Sequence, residues 1–211
     1  MKHFLLIDDH EIIRSGVQNV LEAIFSPCKI YEADNETSAL LALERRSYDL
    51  IIMDVQIPDS DMAGLMEYIK THYPNASVLM FSMLSENIYA KQFLKAGAMG
   101  FVSKSASVPD LKKAIELVLD GHQYIGETLV KQLAGERGMR QTSNPFNKLS
   151  AREFQIATLL INGKKSIEIS KLFAITPSTI ATHKMHLFEK LRVSNLPELL
   201  ELARLYKLHV K

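Results

Sequence analysis

Three acidic residues stand where short apolar runs end: Asp8 and Asp9 directly after FLLI (residues 4–7), and Asp54 directly after LIIM (residues 50–53). Two groups of complementary chemistry occupy comparable places, a hydroxyl at Ser82 after VLMF (78–81) and an ammonium at Lys104 just after GFV (100–102). Carboxylates brought to close range repel one another and raise one another's pKa unless a cation neutralises them. Hard oxygen ligands with room for water suit Mg²⁺. A hydroxyl donor and an ammonium facing a metal-bound carboxylate make a site for a phosphoryl group. Each part alone says little, since an acidic pair after a strand is commonly a solvated turn and a lone lysine there a surface charge. The signal is that all of them fall at successive strand ends.

The elements that must position these groups follow from the apolar pattern. Residues 4–7, 29–33, 50–53, 78–81 and 100–102 are runs of strand length. Between and after them Val17, Val20, Leu21 and Ile24, then Ala39, Leu40 and Leu43, then Leu111, Ala114, Ile115, Val118 and Leu119 recur at helical spacing. Apolar strands alternating with amphipathic helices predict a parallel sheet covered on both faces. Five such units within residues 1–125 predict an α/β, flavodoxin-like (βα)5 domain with a five-stranded parallel sheet. Its ligand rim lies at the carboxyl ends of the strands. In the strand order 2-1-3-4-5 the first and third strands are neighbours, which brings Asp8, Asp9 and Asp54 together.

Composition narrows the setting. The single cysteine, Cys28, excludes an internal disulfide framework and Cys-rich zinc sites, and fits a reducing cytoplasm. The apolar run near Met1 is too short for a signal peptide or a membrane span, and no later stretch is long enough, so no membrane partner is expected. A net charge of +1 hides an asymmetry: residues 1–121 hold 11 Lys and Arg against 17 Asp and Glu, whereas residues 149–211 hold 10 against 5. Halves of this size can differ so by chance. The sharper reading joins an acidic half that handles metal and phosphate to a basic half that binds a polyanion.

After Gly121 the alternation stops. Residues 126–146 read as a linker with room for a short helix, and 135–148 (GERGMRQTSNPFNK) are its most polar part. Residues 147–211 then read as helical throughout. Ser150 and Glu153 form a capping box for a helix reaching about Ile161, and Gly163 ends it. A second helix covers roughly 166–173. Thr176 and Pro177 open a third, and Ser194 or Asn195 with Pro197 opens a fourth. In the third helix Ile180, Leu187 and Leu191 share one face. Ser178, Ala181, Thr182 and Met185 point the other way, with Lys184 and Lys190 at the flanks. Small outward residues between lysines suit a major groove, with base edges read by the face and phosphates held by the cations. The same pattern also fits a plain surface helix of a small bundle.

LLIDDHEIIRSG, IIMDVQIP and LKAGAMGFVSKSAS resemble the three signature segments of response-regulator receiver domains, over about residues 1–125. The resemblance implies that Asp54 is the phosphoacceptor, taking its phosphoryl group from a phosphohistidine of a sensor histidine kinase. It implies Asp9 and Asp54 as direct Mg²⁺ ligands, Asp8 acting through water, and Gln56 contributing its main-chain carbonyl. Ser82 and Lys104 would grip the phosphoryl oxygens, and Phe101 stands where the family keeps an aromatic switch residue. Phe101 also reads as an ordinary core phenylalanine. The chain departs from the family at PDSDMAG, where Gly64 falls ten residues after the phosphoacceptor rather than about eight, so the loop before the third helix is two residues longer.

LSAREFQIATLLINGKKSIEISKLFAITPSTIATHKMHLFEKLRVSN is similar to the LuxR-type helix-turn-helix of the NarL/FixJ subfamily of response regulators. With the receiver segments, the resemblance covers nearly the whole chain. It implies a small four-helix DNA-binding domain that acts on double-stranded DNA as a homodimer, with Thr179, Thr182, Lys184, Met185 and Lys190 as candidate DNA contacts. The last helix, bearing Leu199, Leu200, Leu202, Ala203 and Leu205, resembles the dimerisation helix. Lysine is common in the family where Ala181 stands, and some members carry another where Met185 stands, so the reading face here is short of cations.

The expected function is therefore a phosphorylation-controlled transcription regulator rather than an enzyme. An aspartyl-phosphate phosphohydrolase would place a second acid two residues after its nucleophile, and Gln56 there cannot transfer protons. The alternative is a phosphorylation-controlled protein-interaction module whose helix-turn-helix does not bind DNA.

Overall fold

The computed structural model describes residues 1–58, 60–83, 86–126, 144–206 and 208, apart from the side chains of Asn87 and Ile88. Most of the expected linker lies outside the described residues. The chain forms two compact units, Met1–Leu133 and Ala134–Lys211.

The first unit alternates strand and helix: β1 (Lys2–Ile7), α1 (Glu11–Ile24), β2 (Cys28–Ala33), α2 (Glu36–Arg45), β3 (Leu50–Met53), α3 (Met62–His72), β4 (Ser77–Ser82), α4 (Glu86–Lys95), β5 (Gly100–Ser103) and α5 (Val108–Leu119). The strands form one parallel sheet in the order β2-β1-β3-β4-β5. Such a sheet is buried on both faces, which is why β3 reads as unbroken apolar sequence. One face presents Phe4, Leu6, Leu50, Ile52, Leu79, Phe81 and Val102 to Val17 and Leu21 of α1 and to Leu111, Ala114, Ile115 and Val118 of α5. The alternate residues, including Leu5, Ile7, Ile51, Met53, Met80 and Phe101, are buried as well.

Register places the rim. Ile7 pairs with Met53 across β1 and β3, and the Asp54 amide donates to the Ile7 carbonyl at 2.8 Å, so Asp8 and Asp54 leave the sheet side by side. At the other edge Ser82 pairs with Ser103, and the Lys104 amide donates to the Ser82 carbonyl at 2.8 Å. The chain leaving α5 returns to this edge. Tyr124 donates its amide to Met99 at 2.9 Å, and the Gly126 amide reaches the Glu86 carboxylate in the first turn of α4 at 2.8 Å. Burial pushes the Glu86 carboxyl up, and the Gly126 amide partly offsets this.

The first described element of the second unit is a 3₁₀ turn (Pro145–Lys148), which straddles the expected boundary between linker and helical domain; the short helix expected in the linker lies outside the described residues. Four helices follow: α6 (Ala151–Ile161), α7 (Ser166–Leu172), α8 (Pro177–Leu191) and α9 (Leu196–Leu205). The capping box at Ser150 and Glu153 is present, Thr176 caps α8, and Asn195, not Ser194, caps α9. The core gathers Phe146, Phe154, Ile156, Leu160, Ile169, Ile180, Leu187 and Leu199. Phe146 meets Phe154 and Tyr206 edge-on. Ala174, in the turn between α7 and α8, takes a left-handed conformation at φ +49°.

Candidate functional site: an acidic rim and a reading helix

At the sheet rim, one oxygen or nitrogen from each of Asp8, Asp9, His10 and Asp54 lies within 4.8 Å of the others. Lys104 reaches between them, its Nζ 2.6 Å from Asp8 Oδ2 and 2.7 Å from Asp54 Oδ2. The exposures of the Lys104, Asp8 and Asp54 side chains, 3%, 7% and 4%, make this a dry network, in which charge interactions are strong. Burial works against the Lys104 charge, but hydrogen bonds and charge from Asp54 and Asp8 outweigh it and hold the ammonium above the usual lysine range. Asp54 Oδ1 accepts the Gln56 amide at 3.1 Å, which fixes the carboxylate's rotation. Ser82 is fully buried at the end of β4.

Three carboxylates against one ammonium leave the rim two negative charges in excess, the charge that a divalent cation cancels. Among the described residues Asp9 Oδ1 is enclosed yet makes no hydrogen bond, and His10 Nδ1 is an ionic neighbour at 2.9 Å. Three carboxylates, one with an oxygen left unbonded, fit a hard cation such as Mg²⁺. Two residues that the sequence reading left without a role take part. His10 adds a nitrogen beside Asp8 and Asp9, a position visible in the sequence as the residue following the acidic pair. Arg14 donates to the Asp8 main-chain carbonyl at 2.7 Å and to Glu32 at 2.6 Å, steadying the turn that carries both acids; nothing local in the sequence signals this.

The longer loop before α3 is tied down. The Asp61 amide donates to Glu36 of α2 at 2.6 Å, and the Asp61 carboxylate caps α3 at the Gly64 amide, 2.9 Å away. A Cβ on Gly64 would collide with that carboxylate, which explains the glycine. Phe101 is buried on the sheet face opposite that of Val102, on a strand packed by α4.

Residues 4–116 match the family described as response regulator receiver domain, and residues 147–203 match that described as bacterial regulatory proteins, luxR family. Response regulator GacA of Pseudomonas viridiflava is 31% identical over 205 residues, covering 96% of this chain and 95% of the relative. The chain belongs to the response-regulator family. Response regulator UvrY of Escherichia coli is 30% identical over 204 residues, covering 96% of this chain and 94% of the relative. Among solved structures, RcsB from Salmonella enterica serovar Typhimurium, bound to the promoter rprA in the presence of the phosphomimetic BeF₃⁻, matches with a TM-score of 0.74 at 26% identity. That match covers 95% of this chain and 97% of the RcsB chain. This response regulator therefore carries a receiver domain and a LuxR-type DNA-binding domain. Among the described residues, no helix is long and apolar enough to cross a membrane.

In the LuxR-type unit of this response regulator, α8 buries Ile180, Leu187 and Leu191 and exposes Ser178, Thr179, Ala181, Thr182 and Met185. The two expected cations each have a neighbour within the unit. Lys190 is clamped to both oxygens of buried Glu153, at 2.7 and 2.6 Å, across 37 residues of chain. Burial raises the Glu153 pKa, but Lys190 and the Ser150 amide more than offset this and hold the carboxyl below its ordinary range. Lys190 thus braces the end of α8 against the start of α6, a structural task that competes with the expected phosphate contact. Lys184 lies back along the helix, 5.3 Å from the centre of the Phe188 ring.

Proposed function

We propose that this response regulator is a phosphorylation-switched transcription factor working in the cytoplasm, with Asp54 as phosphoacceptor. The observation that carries the reading is the rim itself, in which Asp8, Asp54 and Lys104 are buried and Asp9 is partly exposed, with two uncancelled negative charges at the ends of adjacent parallel strands. An Asp54 carboxylate oxygen forms a bond to phosphorus as the bond from phosphorus to the histidine nitrogen of a sensor kinase breaks, leaving an acyl phosphate. Asp9 and Asp54 would hold Mg²⁺ directly, Asp8 through water and Gln56 by its main-chain carbonyl; bound there, the ion neutralises charge on the transferring group. Lys104 moves its hydrogen bond from Asp54 to a phosphoryl oxygen, and Ser82 donates to another. Arg14 keeps the Asp8 turn in place meanwhile.

The domains divide as receiver 1–125, linker 126–146 and helix-turn-helix 147–211. Pulling Ser82 toward the phosphoryl group loads the segment that leads into α4, and buried Phe101 adjusts beneath that helix by shape alone, having no hydroxyl. Because Glu86 of α4 holds Gly126, a shift of α4 reaches the chain just as it enters the linker. Phosphorylation then favours the homodimer and frees the reading helix for double-stranded DNA. Exposed Leu205 on α9 supports that helix as part of the dimer contact. Thr179, Thr182, Lys184, Met185 and the partly exposed Lys190 would meet the DNA.

One observation favours the second reading, a protein-interaction output: the reading face has few unengaged cations. Molar mass and DNA affinity, measured with and without beryllofluoride at several salt concentrations, separate the two. The transcription-factor reading expects dimer formation and a DNA affinity that rises on activation and falls steeply with salt. No change in either property overturns the switch, and negligible DNA binding at low salt favours the interaction module.

A further inference from the structure

The outward face of α8 has lost most of the hydrogen-bonding chemistry that its sequence suggests. Thr182 sends its hydroxyl proton back to the Ser178 carbonyl at 3.2 Å. The Thr176 and Thr179 hydroxyls share one hydrogen bond at 2.8 Å, at the cap of the helix. Lys190 is held by Glu153, and Lys184 lies along Phe188. Between exposed Ser178 and exposed Glu189, and beside exposed His186, the centre of this face is apolar: the Ala181 methyl, the Thr182 methyl and the Met185 thioether, 52% exposed. Ala181 and Met185 are one turn apart and Thr182 lies between them, so the three form one continuous patch.

Met185 is about half exposed, with the Ala181 and Thr182 methyl groups beside it on the same face. In the major groove, only the C5 methyl of thymine offers an apolar surface; the other base-edge groups are hydrogen-bond donors and acceptors. We infer that Ala181, Thr182 and Met185 determine specificity by packing on thymine methyl groups, and that guanine, usually read by a bidentate cation, is discriminated weakly at the positions under this patch. This rests on the DNA-binding reading above. It predicts operators whose central contacted steps are A·T pairs with thymine placed toward the helix.

The test selects duplexes from a random pool with the full-length protein in beryllofluoride and Mg²⁺. Thymines of the selected duplex are then replaced singly by uracil, which removes the C5 methyl and nothing else. Each contacted methyl lost should weaken binding about fourfold, the equivalent of one buried methyl group. In Met185→Ala, the thymine-to-uracil ratio at one position should fall toward one. Equal affinity for thymine and uracil duplexes at every position, or a selected site dominated by guanine contacts, overturns the methyl readout while leaving DNA binding intact. Absence of salt-sensitive binding to any duplex overturns the DNA-binding reading, and the methyl readout with it.

Discussion

The sheet rim and the reading helix handle charge in opposite ways. At the rim, topology forces Asp8, Asp9 and Asp54 together and supplies one ammonium, so the site is left with charge that only a bound cation balances. On α8 the cation nearest the helix end is neutralised internally by a carboxylate from another helix, and the exposed middle is apolar. The rim holds excess negative charge in reserve. The exposed middle of α8 keeps shape and little charge. The contrast teaches that charged residues of similar appearance in a sequence can be reagents in one unit and struts in the other.

The most severe way to break this comparison is to remove the rim's ammonium. Lys104→Met leaves two buried carboxylates facing each other, and metal-free protein should lose about 3–5 kcal/mol of receiver stability in a denaturant titration. Mg²⁺ should restore more of that loss than it adds to the parent protein. Equal responses to Mg²⁺ would mean that the rim carries no excess charge.

The strut is tested by Lys190→Met, which strands Glu153. Because Lys190 is partly exposed, the cost is smaller, about 2 kcal/mol, read from hydrogen exchange of the α8 amides. The pH dependence sharpens this. Glu153 has a folded pKa held below its unfolded value near 4.3, so its contribution is complete above about pH 5 and is lost as pH falls through the folded value. The parent's helical unit should weaken over that acid range, and Lys190→Met should lose most of the slope.

Smaller effects probe the loops beside each site. Gly64→Ala should cost about 1 kcal/mol by driving the Asp61 cap off α3, with the melting temperature as readout. Ala174→Gly should stabilise the helical unit by about 0.5 kcal/mol, since glycine accepts φ +49° without the steric cost that alanine bears.

Much of the rim was readable because each reactive group stands within two residues of the end of an apolar run, and parallel strands of known order deliver such residues to one edge. The pairing of Ile7 with Met53 then leaves Asp8 and Asp54 nowhere to go but together. The same logic is silent on Arg14, whose partner is a main-chain carbonyl, and on the Glu36 carboxylate that holds the Asp61 amide 25 residues away. Helix ends were equally plain, since capping at Ser150, Thr176 and Asn195 is local chemistry. The destination of Lys190 was not, because helical periodicity tells which way a residue points on its own helix and nothing about which helix end it meets. Hydroxyl roles on α8 were hidden likewise, since a threonine that donates to its own helix and one that faces outward look identical in sequence.

The most direct test of the account is phosphoryl uptake at position 54. Parent protein and Asp54→Asn are incubated with a small-molecule acyl-phosphate donor, with Mg²⁺ or with a chelator, and peptides are mapped by mass spectrometry. The account predicts an acid-stable, base-labile phosphoryl group on Asp54 of the parent, only with the metal present, and none on the variant. Labelling of Asp54→Asn as fast as the parent, or labelling indifferent to the chelator, would contradict it.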